Sequence, residues 1–227
     1  MAKNVVEKID DLVKINTMLV SVSDKSGLEA LVPGMVALNP ELVILSTGGT
    51  FGRIKEILGD SASLHLRQVS DYTGQPETQG GLVKTLDFKI YLGLLTETYN
   101  KAHQADLART GARPIDMVVV NLYPFSETIA RVGATLENAR GNIDIGGPAM
   151  IRAAAKNFIR VAPVVDPSAY ADILEKLRAN QGAMALKDRF EMACQAFEHT
   201  AAYDRAIADY LAECAGTALQ SSYIPGE

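Results

Sequence analysis

Short apolar runs alternate with stretches of helical spacing along most of the chain. The apolar runs predict buried strands, and the stretches between them predict helices. The predicted strands are 18–22, 42–45, 64–69, 117–120 and 161–165, and the predicted helices lie around 96–109, 126–140, 148–157 and 168–179. Short, nearly continuous apolar strands between helices are typical of a parallel sheet that is covered on both faces. The pattern therefore predicts an α/β fold with a mainly parallel sheet.

The pattern also divides the chain into three parts. Residues 1–16 are polar and charged and are predicted to form a leader or a short helix, 17–180 form the main domain, and 181–227 form a C-terminal helical extension. Apolar residues in the extension recur at helical spacing, which predicts a long amphipathic helix that packs on the domain or on a second subunit. They are Leu186, Phe190, Ala193, Phe197, Ala201, Ile207 and Leu211.

The helix that follows the first predicted strand contains two residues that disfavour helices. Pro33 and Gly34 fall inside its apolar pattern, next to Leu31 and Val32. Proline removes one backbone hydrogen bond and clashes with the preceding turn. We therefore expect a kink or an early end of this helix at Pro33.

Composition and charge exclude several classes of protein. The chain has 227 residues, 48% hydrophobic and 22% charged, which is ordinary for a globular domain. Its net charge of −5 disfavours nonspecific binding to nucleic acid. Cys194 and Cys214 are the only cysteines, and neither metal-ligand spacing nor an apolar run of membrane-spanning length is present. We expect a cytoplasmic protein without a metal, a disulfide framework, or a nucleic-acid or membrane partner.

Hydroxyl groups and a lysine follow the first predicted strand. Ser21 and Ser23 are two residues apart and therefore face the same side of the sheet, and Lys25 comes directly after them. Hydroxyls, an ammonium group and the amides of a helix N-terminus suit a phosphate. The alternative is that Ser23 or Ser26 only caps the next helix.

A glycine-rich turn follows the second predicted strand. It contains Thr47, Gly48, Gly49 and Thr50, and paired glycines let backbone amides approach an anion closely. A tight turn with Thr50 as the helix cap is the alternative. Ligands of parallel sheets bind at the carboxyl ends of the strands, where both segments are predicted to meet. Taken together, the two segments favour phosphate binding.

Other candidates for chemistry lie beside turns later in the chain. Lys84 precedes Asp87, Tyr123 precedes a proline, Asp144 precedes a pair of glycines and Lys156 ends a predicted helix. Lys84 is either a solvated charge or a cation that neutralises a developing oxyanion. Asp144 is either a turn residue or a carboxylate in a cleft, and Lys156 also complements its helix dipole. The residues alone leave these alternatives open.

Several of these segments, in this order, resemble the N-terminal inosine monophosphate (IMP) cyclohydrolase domain of the bifunctional purine biosynthesis proteins. The resemblance runs from about residue 18 to about residue 211. It implies a methylglyoxal-synthase-like α/β sandwich over 17–180. It also implies ring closure of formylated aminoimidazole carboxamide ribotide (FAICAR) to IMP with loss of water. The matching segments are 21–27, 46–50, 69–74, 121–125, 143–147 and 196–201.

The resemblance also assigns roles to residues, by position. The catalytic set that it implies is Lys84, Tyr123, Asp144 and Lys156. It implies no cofactor and no metal, a homodimer, and either a separate formylating enzyme that supplies FAICAR or a longer chain. The implied substrate- and phosphate-binding set is Ser21, Ser23, Lys25, Thr47, Gly48, Gly49, Thr50, Thr85, Asn121, Gly146, Gly147 and Asn157.

Three residues depart from the usual family pattern. Leu82 replaces an arginine, and Asp87 and Phe158 each replace a histidine. We hypothesise that Asp87 pairs with Lys84 or Lys89 and reshapes the pocket. The departures also motivate one alternative function, a purine-nucleotide-binding or partner protein with weakened catalysis. A phosphate-eliminating lyase of the methylglyoxal synthase type is the second alternative.

Overall fold

A five-stranded parallel sheet forms the centre of the computed structural model, which describes residues 5–75, 83–214, 219, 222 and 223. In chain order the strands are β1 (Leu12–Lys14), β2 (Thr17–Val22), β3 (Val43–Ser46), β4 (Leu66–Gln68), β5 (Met117–Asn121), β6 (Ala162–Val164) and β7 (Ala183–Ala185). The sheet order is β4-β3-β2-β5-β6, and β2 lies at its centre, where Met18 is opposite both Ile44 and Met117. The predicted parallel α/β fold is confirmed.

Helices cover both faces of this sheet, as its apolar strands require. Met18 and Val20 of β2 point into one core and Leu19 into the other, because successive side chains alternate between faces. The helices are α1 (Leu28–Leu38), α2 (Gly48–Leu58), α3 (Ala62–His65), α4 (Val69–Thr73), α5 (Phe88–Leu95), α6 (Lys101–Thr110), α7 (Phe125–Ala130), α8 (Leu136–Gly141), α9 (Gly146–Lys156), α10 (Tyr170–Ala179) and α11 (Leu186–Glu213).

Two predicted elements are wrong in extent. The predicted strand 64–69 is shorter, because α3 extends to His65 and α4 begins at Val69. The predicted helix 126–140 is two helices, α7 and α8. Gly133 between them has a positive φ of 83°, and the Thr135 hydroxyl accepts from the Asn138 amide to start α8 afresh. Local turn chemistry therefore overrides the apolar spacing.

The expected break at Pro33 does not occur. Helix α1 runs through Pro33 and ends at Leu38, with Asn39 as its C-cap. Proline lacks the amide that would bond to the Glu29 carbonyl, but both residues are exposed, so this carbonyl faces water. Gly34 packs on Leu174, and a Cβ at this position would lie 2.8 Å from a Leu174 methyl group. Tertiary packing on α10 therefore holds the helix together.

The N-terminal residues predicted to be a leader contain a strand. β1 pairs antiparallel with β7, with Leu12 opposite Ala185. The guanidinium of Arg189, which is completely buried, donates to the carbonyls of Asp10 and Asp11 at 2.8 and 2.9 Å. Arg189 also donates to the carbonyls of Met184, Phe158 and Ile159. The boundaries at residues 17 and 181 remain a prediction, although contacts cross both of them.

The long C-terminal helix is confirmed, but within this chain its buried face shares only Ala193 with the predicted apolar stripe. Phe190, Phe197 and Leu211 are 51%, 41% and 43% exposed. The buried residues of α11 are Arg189, Met192, Ala193, Ala196 and Thr200. Alanines face the alanine-rich α9, and small side chains let the two helices approach closely. Across the described residues, none of the helices combines the length and the apolar character needed to cross a bilayer.

Candidate active site

A cavity of about 580 Å³ opens at the carboxyl edge of the parallel sheet. It lies where β2, β3 and β5 end and where α9 begins, as expected for parallel sheets. Fourteen of the predicted site residues line it, and Lys156 and Asn157 do not. The predicted residues in the lining are Ser21, Ser23, Lys25, Thr47, Gly48, Gly49, Thr50, Lys84, Thr85, Asn121, Tyr123, Asp144, Gly146 and Gly147.

The turn between β3 and α2 forms one end of the cavity. Thr47 is the N-cap of α2 in an extended conformation, and its side chain does not cap the helix. Gly48 has a positive φ of 50°, which favours glycine. The Thr50 hydroxyl accepts from the Val22 amide at 3.1 Å and donates to the Val22 carbonyl at 3.0 Å. Thr50 therefore fixes the turn, and the first amides of α2 remain available to an anion.

Two lysines converge on this turn from different loops. The Lys84 Nζ lies 3.7 Å from the position that a Cβ on Gly48 would occupy, and the Lys25 Nζ lies 4.0 Å from that on Gly49. The Lys25 ammonium donates to the Ser23 carbonyl at 3.2 Å. Within the described ranges, neither lysine has a carboxylate within salt-bridge distance. Two ammonium groups beside a helix N-terminus form a site for an anion.

Asn121 at the end of β5 shapes the loop that carries Lys25. Its Oδ1 accepts from the Ser23 and Asp24 amides at 2.6 and 2.9 Å, and its Nδ2 donates to the Asp24 carbonyl at 2.8 Å. These bonds occupy most of the hydrogen-bonding capacity of the amide. Asn121 therefore holds the loop in place, and its predicted role in binding stays a prediction.

Asp144 provides a carboxylate in the lining of the cavity. Its Oδ1 accepts from the Gly147 amide at 2.9 Å, and its own amide donates to the Tyr203 hydroxyl at 2.8 Å. Burial raises the pKa of Asp144, while the Gly147 and Gly146 amides oppose this shift. A Cβ on Gly147 would collide with this carboxylate, which explains the glycine. A desolvated carboxyl group of this kind suits proton transfer.

Tyr123 and Thr85 also line the cavity. Tyr123 is 56% exposed and lines the cavity just after β5. Thr85 is buried, and its Oγ1 would lie 2.7 Å from a Cβ on Gly146. The first turn of α9 therefore approaches the Lys84 loop closely, and only a glycine fits there.

Lys156 and Asn157 lie away from the cavity. They are at the end of α9 opposite Gly146, about 15 Å along the helix at a rise of about 1.5 Å per residue. Asn157 is buried, and its Nδ2 donates to the Leu94 and Thr96 carbonyls at 2.7 and 2.9 Å. This amide is held by the backbone of its own chain, and the binding role of Asn157 stays a prediction. The Lys156 side chain is exposed.

The hypothesis that Asp87 forms an ion pair is wrong. Its Oδ1 accepts from the Lys89 backbone amide at 2.7 Å, which makes Asp87 the N-cap of α5. The Lys89 ammonium instead donates to the Tyr72 carbonyl at 3.3 Å. Phe158 packs edge-on against Phe190, with ring centroids 5.1 Å apart. Leu82 lies outside the described residues.

Two tyrosines near Asp144 were not predicted. Tyr203 belongs to α11 and contacts the Asp144 backbone. Tyr91 belongs to α5, and its buried hydroxyl has no partner among the described residues. Burial, with a smaller contribution from Asp144, raises the pKa of Tyr91 to about 12. The segment 196–201 could have drawn attention to α11, but no local pattern distinguishes a tyrosine beside a site from a packing residue. No group of three or more potential metal-ligating side chains occurs in the described part of the chain.

The fold and the cavity define an α/β domain with a cleft at the carboxyl edge of its parallel sheet, and comparisons with known proteins specify the family. A family model described as the MGS-like domain matches residues 27–149, and one described as the AICARFT/IMPCHase bienzyme matches residues 154–225. The chain belongs to the MGS-like domain family. The resemblance inferred from the sequence and the predicted fold class are thereby confirmed.

Individual relatives agree with this assignment. The chain is 45% identical over 208 residues to the bifunctional purine biosynthesis protein PurH of Xanthomonas campestris pv. campestris strain 8004, and equally to that of strain ATCC 33913. These matches cover 92% of this chain and 38% of each relative, so the chain spans little more than a third of their length. The crystal structure of ForH superposes with a TM-score of 0.72 at 31% identity, over 85% of this chain and 96% of that chain.

Proposed function

We propose that this chain is an IMP cyclohydrolase, which closes the ring of FAICAR to IMP with loss of water. The observation that carries the proposal is the convergence of Lys25 and Lys84 on the α2 N-terminus, in a cavity that the half-buried Asp144 also lines. The identity of 45% to PurH over most of the chain supports it. The volume of about 580 Å³ also lies in the range of small-ligand pockets, roughly 300–1,000 Å³.

The arrangement suggests how the cleft binds its substrate. FAICAR carries a phosphate ester, and the Lys25 ammonium with the amides of Gly48 and Gly49 binds that phosphate. The remainder of the cavity, towards Tyr123 and Asp144, then holds the imidazole ring with its formyl and carboxamide groups. Ring closure is intramolecular, so holding these two groups in contact supplies much of the rate.

The chemistry requires a cation and proton donors. The carboxamide nitrogen attacks the formyl carbon, a C–N bond forms, and the formyl oxygen becomes an oxyanion. The Lys84 ammonium neutralises this oxyanion. Asp144 accepts a proton from the attacking nitrogen, and Tyr123 donates one to the oxyanion. Asp144 then passes its proton to the new hydroxyl group, the C–O bond breaks and water leaves. A C=N bond forms as the former formamide nitrogen loses its proton to the Tyr123 phenolate, so both side chains regain their starting state. The charges balance without a metal or a cofactor.

The proposal extends to the assembly and the cellular setting. Phe190 and Phe197 are exposed on α11, which supports a homodimer with α11 as a contact. Lys156 lies away from the cavity of its own chain, so its predicted catalytic role requires that it reach the cavity of the second subunit of the dimer. A formylating activity supplies FAICAR, from a separate enzyme or from a longer chain, and the setting is the cytoplasm. Sedimentation velocity tests the dimer, which a monomer at micromolar concentration would contradict.

The test of the function is ultraviolet-monitored conversion of FAICAR by the wild type and by Lys84→Ala and Lys156→Ala variants. We expect turnover by the wild type and a loss of about 10²–10³-fold in kcat for Lys84→Ala, as for loss of one oxyanion donor. No turnover with retained binding of IMP would favour a nucleotide-binding partner protein. Formation of methylglyoxal from dihydroxyacetone phosphate would favour the lyase.

A further inference from the structure

The Asp144 backbone has an anchor outside the cleft. The Asp144 amide donates to the Tyr203 hydroxyl at 2.8 Å, and Tyr203 comes from α11, 59 residues later. The same hydroxyl lies 3.5 Å from the Asn142 carbonyl, on the other side of the turn. A phenol group both accepts and donates, so one hydroxyl contacts both ends of the segment 142–144.

Neighbouring bonds do not replace this anchor. The Asn142 and Ile143 amides donate back to α8, to the carbonyls of Ala139 and Arg140 at 3.1 and 3.3 Å. They hold the beginning of the turn but do not reach Asp144. The bond from the Gly147 amide orients the Asp144 carboxyl group and leaves its backbone unrestrained. In the described structure, the Tyr203 hydroxyl is the hydrogen-bond partner of the Asp144 amide.

Packing fixes Tyr203 in turn. Its ring meets Phe125 of α7 edge to face, with centroids 6.2 Å apart. Thr200, one turn earlier on α11, is completely buried, and Ala196 packs beside α9. Burial raises the pKa of the Tyr203 hydroxyl, so it keeps its proton at neutral pH and can both donate and accept. The position of the phenol is therefore set by the docking of α11.

We infer that Tyr203 is a positioning residue that holds Asp144 in its productive orientation, and that α11 is therefore part of the catalytic apparatus. This inference rests on the proposed function of the cleft. The Tyr203 hydroxyl does not line the cavity, so it acts through the Asp144 backbone and not on the substrate. Loss of this bond would free the turn and widen the range of carboxyl orientations, which affects the chemical step more than binding.

The test compares Tyr203→Phe with Tyr210→Phe. Tyr210 also packs edge to face on Phe125, at 5.8 Å, but its hydroxyl interacts with Cys214 and is remote from the turn. Both variants keep the ring and lose one oxygen. We expect Tyr203→Phe to lower kcat about tenfold with KM within threefold, and Tyr210→Phe to match the wild type. Equal kcat in Tyr203→Phe and wild type would overturn the inference.

A second readout does not depend on activity. Hydrogen–deuterium exchange of peptides that cover 141–147 should accelerate at least tenfold at the Asp144 amide in Tyr203→Phe and stay unchanged in Tyr210→Phe. Unchanged exchange in Tyr203→Phe would overturn the inference even if the wild type does not turn over FAICAR. A wild type without turnover but with accelerated exchange in Tyr203→Phe would instead reject the proposed function and leave the anchoring role supported.

Discussion

The amino and carboxyl edges of the same sheet both hold cations, and they treat them differently. At the amino edge, Arg160 donates to Asp116 at 2.9 Å and to the carbonyls of Thr96 and Ile115, and it is almost completely buried. At the carboxyl edge, Lys25 and Lys84 lie beside glycines of the α2 N-terminus, and no described carboxylate is within salt-bridge distance of either. Burial of charge is tolerated where carbonyls and carboxylates compensate it. The cation with a buried carboxylate partner therefore belongs to the scaffold, and the two lysines without one belong to the candidate ligand site.

The largest expected effect comes from breaking the satisfied pair. Asp116→Ala leaves the Arg160 guanidinium without its carboxylate and removes the acceptor of the Asn16 and Thr17 amides. We expect a loss of about 3–5 kcal/mol in the free energy of unfolding, measured by urea titration. The control is Asp106→Ala, which removes an exposed pair with Arg109 and should cost less than about 1 kcal/mol. Similar losses in both variants would contradict the comparison.

An intermediate effect, on ligand affinity alone, is expected from substitution of a lysine at the carboxyl edge of the sheet. Lys25→Ala should weaken IMP binding about 10–100-fold, because a charge-assisted hydrogen bond contributes about 1.5–3 kcal/mol. The free energy of unfolding should change by less than about 0.5 kcal/mol. Calorimetric titration and urea unfolding measure the two quantities, with the exposed Lys101→Ala as the control. A marked loss of stability with unchanged affinity would place Lys25 with the scaffold cations.

The smallest expected effect concerns Asp144, because its ionised carboxylate lowers the free energy of unfolding. Burial raises the pKa of Asp144 in the folded state, so protonation favours folding. This favourable contribution is present below the unfolded pKa and is lost as the pH rises through the folded value. Asp144→Asn should therefore raise the melting temperature at pH 7, by roughly 2 °C, and the gain should disappear towards pH 4.

The matched control for this effect is a carboxylate with the opposite shift. The Ser26 hydroxyl and amide lower the pKa of the exposed Asp24. Asp24→Asn should consequently not raise the melting temperature at pH 7. A gain in Asp24→Asn, or a gain in Asp144→Asn that persists unchanged at pH 4, would show that the desolvation argument does not hold.

The elements that the sequence predicted correctly are those in which one local pattern determines the outcome. Buried parallel strands such as β2 and β5 are nearly continuous apolar runs, and their positions agree closely with the prediction. The face of α11 could not be predicted, because the buried side contains Arg189 and alanines while Phe190 is exposed. Arg189 is buried because carbonyls from distant segments surround it, and no window of sequence contains them.

The same distinction applies to the candidate site. Glycines and hydroxyls after the strands predicted the cleft, because topology brings all these strand ends to one edge. Lys156 and Asn157 were assigned by resemblance, and their position on α9 separates them from Asp144. The cap formed by Asp87 did have a local signal, since an aspartate directly before Phe88 at the start of a helix is a preferred N-cap. Tyr203 had no local sequence signal, because residue spacing does not show that it contacts the Asp144 backbone.

The contacts of Arg189 also have a consequence for synthesis on the ribosome. The donor to the Asp11 carbonyl is Arg189, which is synthesised 178 residues later. At about 5–20 residues per second, roughly ten to forty seconds pass before that donor exists, and β1 lacks its partner strand throughout this time. Helix α11 then supplies Arg189 and Tyr203 together. In a nascent chain, the Arg189 contacts with Asp10 and Asp11 and the Tyr203 bond to the Asp144 turn therefore form only after α11 has been synthesised.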